Sequence, residues 1–198
     1  DAGSYHSVFI DASGQLLTCG TDFELDDDDD DIVGLLGHGT DVTTLEVPTP
    51  VPSLAGTLVA SVSASESHSL VLTEAGAVLS FGCGYNGSLG HGDQGDQHTP
   101  KVIEALRGER VVAVSAGEYL SLVLTEAGAV LSFGRGDFGR LGHGDNEDQH
   151  TPKVIEALRG ERVVAVSAGG YHSLVLTEAG AVLSFGSGFH GHLGPGDA

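Results

Sequence analysis

Glycine triplets of the form G-x-G-x-x-G recur three times, each directly after a short β-rich run: Gly82, Gly84 and Gly87, then Gly134, Gly136 and Gly139, then Gly186, Gly188 and Gly191. Where such a triplet opens a helix, it cradles the pyrophosphate of a dinucleotide. No helix is expected after any of the three, and the motif returns at a fixed interval, so these glycines read as turn and packing positions. Histidines recur too, as His38, His91 and His143 in Leu-Gly-His-Gly. A ring of imidazoles suggests a metal centre, yet equivalent atoms of stacked sheets sit about 10 Å apart, whereas zinc gathers nitrogens at about 2 Å. They are expected to be structural, hydrogen-bonded to loop backbone. His190 and His192 are less constrained but supply only two ligands. The run Asp26, Asp27, Asp28, Asp29, Asp30 and Asp31 lacks the alternating ligands and glycine of a calcium loop. It reads as a solvated segment, or as a surface for a basic protein. Asn86-Gly87-Ser88 matches a glycosylation sequon, but Asn-Gly is equally what a tight turn needs. No nucleophile elbow, HExxH helix, phosphate-loop lysine or zinc-spaced cysteine pair is present, so no catalytic residue, metal or cofactor is expected.

Charge narrows the partners. The 198 residues carry a formal charge of -20, and residues 1–100 hold no Lys or Arg, Lys101 being the first. Such a field repels phosphates, which argues against direct contact with DNA or RNA and favours basic proteins. Two cysteines, Cys19 and Cys83, fall at different places in the repeat, so no disulfide framework is expected and a cytoplasmic or nuclear setting is favoured. No apolar run approaches the roughly 20 residues that span a bilayer. The sequence has no Met, and a fragment or processed chain is the expectation.

The elements that position these motifs come in a 52-residue period, since residues 66–117 match 118–169 at all but eight positions and the match resumes over 170–198. HSLVLT (68–73) and AVLSFG (77–82) flank a Glu-Ala-Gly turn, and PKVIEAL (100–106) and RVVAVSAG (110–117) follow, giving four strands per unit. The units are 1–65, divergent and with an acidic insertion over 22–35, then 66–117, 118–169 and a partial 170–198. Such a unit cannot bury both faces of its sheet alone, so an all-β propeller of four-stranded antiparallel blades is expected, with about three and a half blades present. Open edges at both flanks call for further blades of a longer chain or for a second copy closing a ring.

The pattern H-S-L-x-L-T, then V-x-S-F-G-x-G-x-x-G-x-L-G-H-G-D, T-P-x-x-V/I-E-A-L and V-V-x-V-x-A-G, resembles the repeat of the regulator of chromosome condensation family, whose members typically close seven blades. The resemblance implies protein binding, and for some members guanine-nucleotide exchange on a Ran-type small GTPase, which stands as the alternative function. A third class, the plant ultraviolet photoreceptor, uses clustered tryptophans, and this sequence has none. The near-identical units differ mainly in one loop: Cys83/Arg135, Tyr85/Asp137, Asn86/Phe138, Ser88/Arg140, Gln94/Asn146 and Gly95/Glu147. The last copy has Ser187, Phe189, His190 and His192 there. Strands held by packing beside a loop that changes in charge and aromaticity are how a scaffold tailors a binding face. Tyr85, Asn86, Ser88, Arg135, Asp137, Phe138, Arg140, Phe189, His190 and His192 are therefore the expected partner contacts of a non-catalytic protein-interaction scaffold.

Overall fold

Valine- and leucine-rich runs, each closed by a Gly-containing turn, form antiparallel strands. The computed structural model describes residues 1–22 and 34–194. Among them are β1 (His6–Ile10), β2 (Leu16–Thr21), β3 (Thr44–Pro50), β4 (Val59–Ala64), β5 (His68–Thr73), β6 (Val78–Gly82) and β7 (Gln97–Val102). The series continues with β8 (Val111–Ala116), β9 (Leu120–Thr125), β10 (Val130–Gly134), β11 (Gln149–Val154), β12 (Val163–Ala168), β13 (His172–Thr177) and β14 (Val182–Gly186). They build four sheets in strand order: β1-β2-β3, β4-β5-β6-β7, β8-β9-β10-β11 and β12-β13-β14. The fold is an all-β propeller segment. Among the described residues no helix is long and apolar enough to cross a membrane, and neither Cys19 nor Cys83 forms a disulfide.

Each sheet after the first opens with the strand that ends the preceding sequence repeat. β8 belongs to residues 66–117, yet it pairs with β9 of the following unit, Val114 opposite Val123. The period and the sheet are thus offset by one strand, and every complete unit hands its last strand forward. The strands handed on, β4, β8 and β12, lie against one another. Their C-terminal ends are tied by Ala116 N–H to Ser63 Oγ (3.1 Å) and Ala168 N–H to Ser115 Oγ (3.0 Å). Asp1 Oδ2 takes the same role for Ala64 N–H at 3.1 Å.

Three apolar clusters lie between successive sheets, and these are the core. Val8, Leu16 and Leu54 meet Val71, Leu79 and Phe81. Leu70, Leu72 and Val78 meet Val123, Leu131 and Phe133. Leu122, Leu124 and Val130 meet Val163 and Val175. Because each cluster is shared, each sheet buries its apolar side chains against its neighbour. On the far flank of the last sheet, Val182 is 65% and Leu176 36% exposed, while their counterparts Val130 and Leu124 in the third sheet are buried at 1% and 2%. Leu-Gly-His-Gly sits at the same junctions. Gly90, at φ 77°, brings its backbone onto the Phe133 ring of the next sheet, and an added Cβ would lie 2.8 Å from Phe133 Cε2.

Candidate protein-interaction face

Strand register decides which loops share an end. Ala64 pairs with Ser69, His68 with Gly82, and Gly82 with Gln97. The connections 65–67 and 83–96 therefore leave the second sheet at one end, and 117–119, 135–148 and 169–171 leave their sheets at the equivalent end. This end is the rim face. Within it, a three-residue 3-10 turn follows the glycine pair at Tyr85–Gly87, Asp137–Gly139 and Phe189–Gly191. These turns lie inside the G-x-G-x-x-G motif, among the described residues no helix follows it, and so short a turn cannot converge the N–H groups that hold a pyrophosphate. Gly87 serves blade packing instead, since a Cβ there would lie 2.6 Å from His150 Cα in the next sheet.

The middle residue of the turn has left-handed backbone, Asn86 at φ 55° and Phe138 at φ 61°. Asparagine tolerates this conformation. Asn86 also uses it to reach the next sheet, its Nδ2 donating to Asp148 Oδ2 at 2.8 Å. Phenylalanine has no such compensation, and the conformation costs it on the order of 1–2 kcal/mol.

The junctions beneath the turns differ in chemistry. Between the second and third sheets, Ser67 Oγ donates to Glu118 O (2.9 Å) and His68 Nε2 bonds Ser121 Oγ (2.9 Å). Ser121 Oγ in turn donates to Ser88 O at 2.8 Å, which leaves His68 Nε2 as the N–H donor. An equivalent bond, His6 Nε2 to Ser69 Oγ at 2.7 Å, joins the first and second sheets. Burial pushes the His6 imidazole down to about 4, and burial together with the neighbouring His6 pushes His68 down to about 3, so both are neutral in the fold. Between the third and fourth sheets Leu120 stands in place of the histidine. There Arg140, with its side chain fully buried, donates from Nη1 to Gly170 O (2.6 Å) and from Nε to Asp137 O (2.9 Å). Burial pulls the Arg140 guanidinium below its ordinary value, and Nη2 lacks a hydrogen-bond partner. Part of that loss is offset by rings, as the guanidinium lies 5.0 Å from the centroid of Tyr171 and 5.7 Å from that of Phe138.

Above Arg140 the rings form a row. Phe138 meets Tyr171 edge-on at 6.3 Å and Phe189 edge-on at 6.3 Å. All three are open to solvent, at 51%, 46% and 67%. Next to the row, Arg135 lies over the Tyr119 ring at 5.6 Å and is paired with Asp137 through Nη2 at 2.6 Å. The described rim connections add Glu66, Asp93, Asp96, Glu118, Asp145, Glu147 and Asp148, against Arg135 and the buried Arg140. At the opposite end of the sheets, Arg107, Arg110, Arg159 and Arg162 are each matched to a glutamate.

Of the expected partner contacts, Phe138 and Phe189 come together, while Tyr85 is exposed on a separate turn. Ser88 and Arg140 are corrected: both are buried, and Ser88 Oγ donates to Cys83 O at 2.9 Å, so they hold the rim from within. Asn86 serves the inter-sheet bond, and the His192 ring lies 5.1 Å from that of His172. The six aspartates from Asp26 to Asp31 and the side chain of His190 lie outside the described residues. The insertion's two ends are tied together, Asp22 accepting from Gly34 N and Leu35 N at 2.9 Å each. The histidines of Leu-Gly-His-Gly bond a strand hydroxyl, not loop backbone directly: His38 to Thr18, His91 to Ser80 and His143 to Ser132. Those hydroxyls donate onward to Leu36 O, Leu89 O and Leu141 O. No group of three or more metal-ligating side chains occurs among the described residues. Reading the loop alone passes over Tyr119 and Leu120. They were visible, because Ser67/Tyr119 and His68/Leu120 are two of the eight differences between the units.

Two family models, each described as Regulator of chromosome condensation (RCC1) repeat, match residues 75–124 and 127–176 in one case and 59–88, 111–140 and 163–191 in the other. The chain is 38% identical over 196 residues to the human E3 ubiquitin-protein ligase HERC2, covering 98% of this chain and 4% of that protein. It is 42% identical over 137 residues to the ultraviolet-B receptor UVR8 of Arabidopsis thaliana, covering 69% of this chain and 31% of the receptor. Among solved structures, human WBSCR16 is similar with a TM-score of 0.83 at 24% identity, over 99% of this chain and 49% of that one. Prp20p of Saccharomyces cerevisiae is similar with a TM-score of 0.75 at 21% identity, over 88% of this chain and 42% of that one. The structural likenesses show the fold.

Proposed function

The chain belongs to the RCC1 repeat family, and from that premise we propose that it is a non-catalytic docking scaffold whose rim face receives a protein partner within a larger assembly. The observation that carries this reading is the rim itself: a row of three half-open aromatic rings, Phe138 touching both Tyr171 and Phe189, with the Glu118 carboxylate at its end. Clustered aromatic residues at a partly desolvated site are the usual energetic centre of a protein interface. Prp20p, which shares the fold, is described by its binding to Gsp1p and histones, so protein binding has a precedent on this scaffold. The excess of carboxylates favours a basic partner. The chain spans 4% of HERC2, and no ligase chemistry is carried over from it. Apolar flanks such as Val182 are covered, on this reading, by further sheets of the same kind from more chain or a second copy.

Site-specific photo-crosslinking tests the reading. A benzoylphenylalanine at position 189 is expected to give protein adducts, and one at position 107, at the opposite end of the sheets, is not. Adducts from position 107 alone, or equal yields from both ends, would refute it.

A further inference from the structure

The strain at Phe138 points to what the rim receives. In the preceding unit the same turn position is Asn86, a residue suited to left-handed backbone, and its side chain works at the inter-sheet junction. Phe138 adopts φ 61° without that benefit and leaves half of its ring in water. A bulky residue held in a costly conformation with its ring exposed signals a function outside the fold itself. Three neighbours keep the ring there: Tyr171 and Phe189 edge-on, and Arg140 beneath. Carboxylates lie beside Arg140 under this row, those of Asp137 and Glu118. Glu118 reaches the backbone beside Tyr171, so near that a Cβ on Gly170 would lie 2.5 Å from Glu118 Oε2. Asp145 and Glu147 are on the same connection as Phe138. The nearby cations are committed, Arg135 to Asp137 and Arg140 to Gly170 O.

Open aromatic faces bounded by carboxylates are the chemistry that accepts a cationic side chain, through the ring quadrupole and through charge together. We propose that the Tyr171, Phe138 and Phe189 row, with Glu118 at its end, is the seat of an arginine or lysine side chain presented by a basic segment of the partner protein. This rests on the docking-scaffold reading and adds to it the site and the anchoring residue.

The test uses the whole chain, a fluorescein-labelled tetra-arginine peptide and its tetra-citrulline counterpart, with anisotropy as the readout. Citrulline keeps the shape of arginine and removes its charge. Tetra-arginine is expected to bind at least tenfold more tightly than tetra-citrulline. The double variant Phe138→Asn, Phe189→Ala should lose at least tenfold in affinity for tetra-arginine, and Tyr85→Ala, an exposed ring away from the row, should lose less than twofold. Asparagine is chosen at position 138 because the turn accepts it at position 86, and melting curves matching wild type verify folding. Three results would overturn the proposal: absence of tetra-arginine binding, equal binding of the two peptides, or tetra-arginine binding unchanged in the double variant. If position 189 crosslinks to a partner whose contacting segment lacks Arg and Lys, this inference fails while the docking reading stands.

Discussion

The junction between the second and third sheets and the one between the third and fourth are built from nearly the same sequence, yet they are held differently. The first is a neutral relay, His68 to Ser121 to the Ser88 carbonyl, with Ser67 bonded to Glu118 O. The second replaces Ser67 by Tyr119, His68 by Leu120, Asn86 by Phe138 and Ser88 by Arg140. The carbonyl at position 170, like that at 118, still finds a donor, but the donor is a buried guanidinium reaching from the rim turn. The serine bonding upward to the turn is retained as well, Ser173 Oγ to Arg140 O at 2.8 Å. One set of backbone demands is thus met in two ways, and the second way raises an aromatic surface above the junction. The lesson is that the four replacements act as a set, so exchanging one of them leaves a polar group unmet or a space unfilled.

The largest test of that contrast is Arg140→Ala. It removes donors to two carbonyls and leaves a cavity under two rings, and a loss of about 3 kcal/mol is expected from urea unfolding. Ser88→Ala, at the same place in the histidine junction, should cost about 1 kcal/mol. Acid should separate the junctions next. His6 and His68 have folded values depressed below the ordinary 6.5, to about 4 and about 3. The unfolded chain therefore binds more protons, and the stability these groups contribute above pH 6.5 declines as pH falls through the folded values. Hydrogen exchange should quicken in β1, β4, β5 and β9 before it does in β13, where Leu120 faces the junction in place of a histidine. His68→Leu should cost about 1 kcal/mol near neutral pH and flatten that acid response; an unchanged acid limb would show that the relay is not its source. The smallest effect is expected for Phe138→Asn. Relief of about 1 kcal/mol of backbone strain offsets lost ring contacts of about the same size, leaving stability within about 0.5 kcal/mol of wild type.

Much of the architecture could be read from the residues, because the HSLVLT and VLSFG runs, the Glu-Ala-Gly turns and the 52-residue period leave little else for the chain to form. Where a sheet begins could not. A tandem period has no intrinsic origin, and that β8 opens the third sheet follows only from its ladder with β9. The variable loop stood out by comparing copies, and it led to Phe138 and Phe189. Its depth was hidden, since an arginine is among the residues least often found fully buried, and Arg140 reads on paper as a surface charge. Tyr171 was missed for another reason: its ring joins the row from the short connection 169–171, whose importance depends on a contact across two sheets.

The offset between repeat and sheet bears on how the molecule finds its own order. β8 and β12 have identical sequences, as do β7 and β11, while β6, β10 and β14 are all VLSFG. A strand handed forward would fit the wrong recipient with the same ladder of backbone bonds, so pairing alone cannot number the blades. The distinguishing marks are the contacts that change along the stack: histidine to serine at the first two seams, arginine to carbonyl at the third. They serve as addresses, and a chain that lost them would keep its strands and its hairpins while losing the means to tell a correctly ordered stack from a shuffled one.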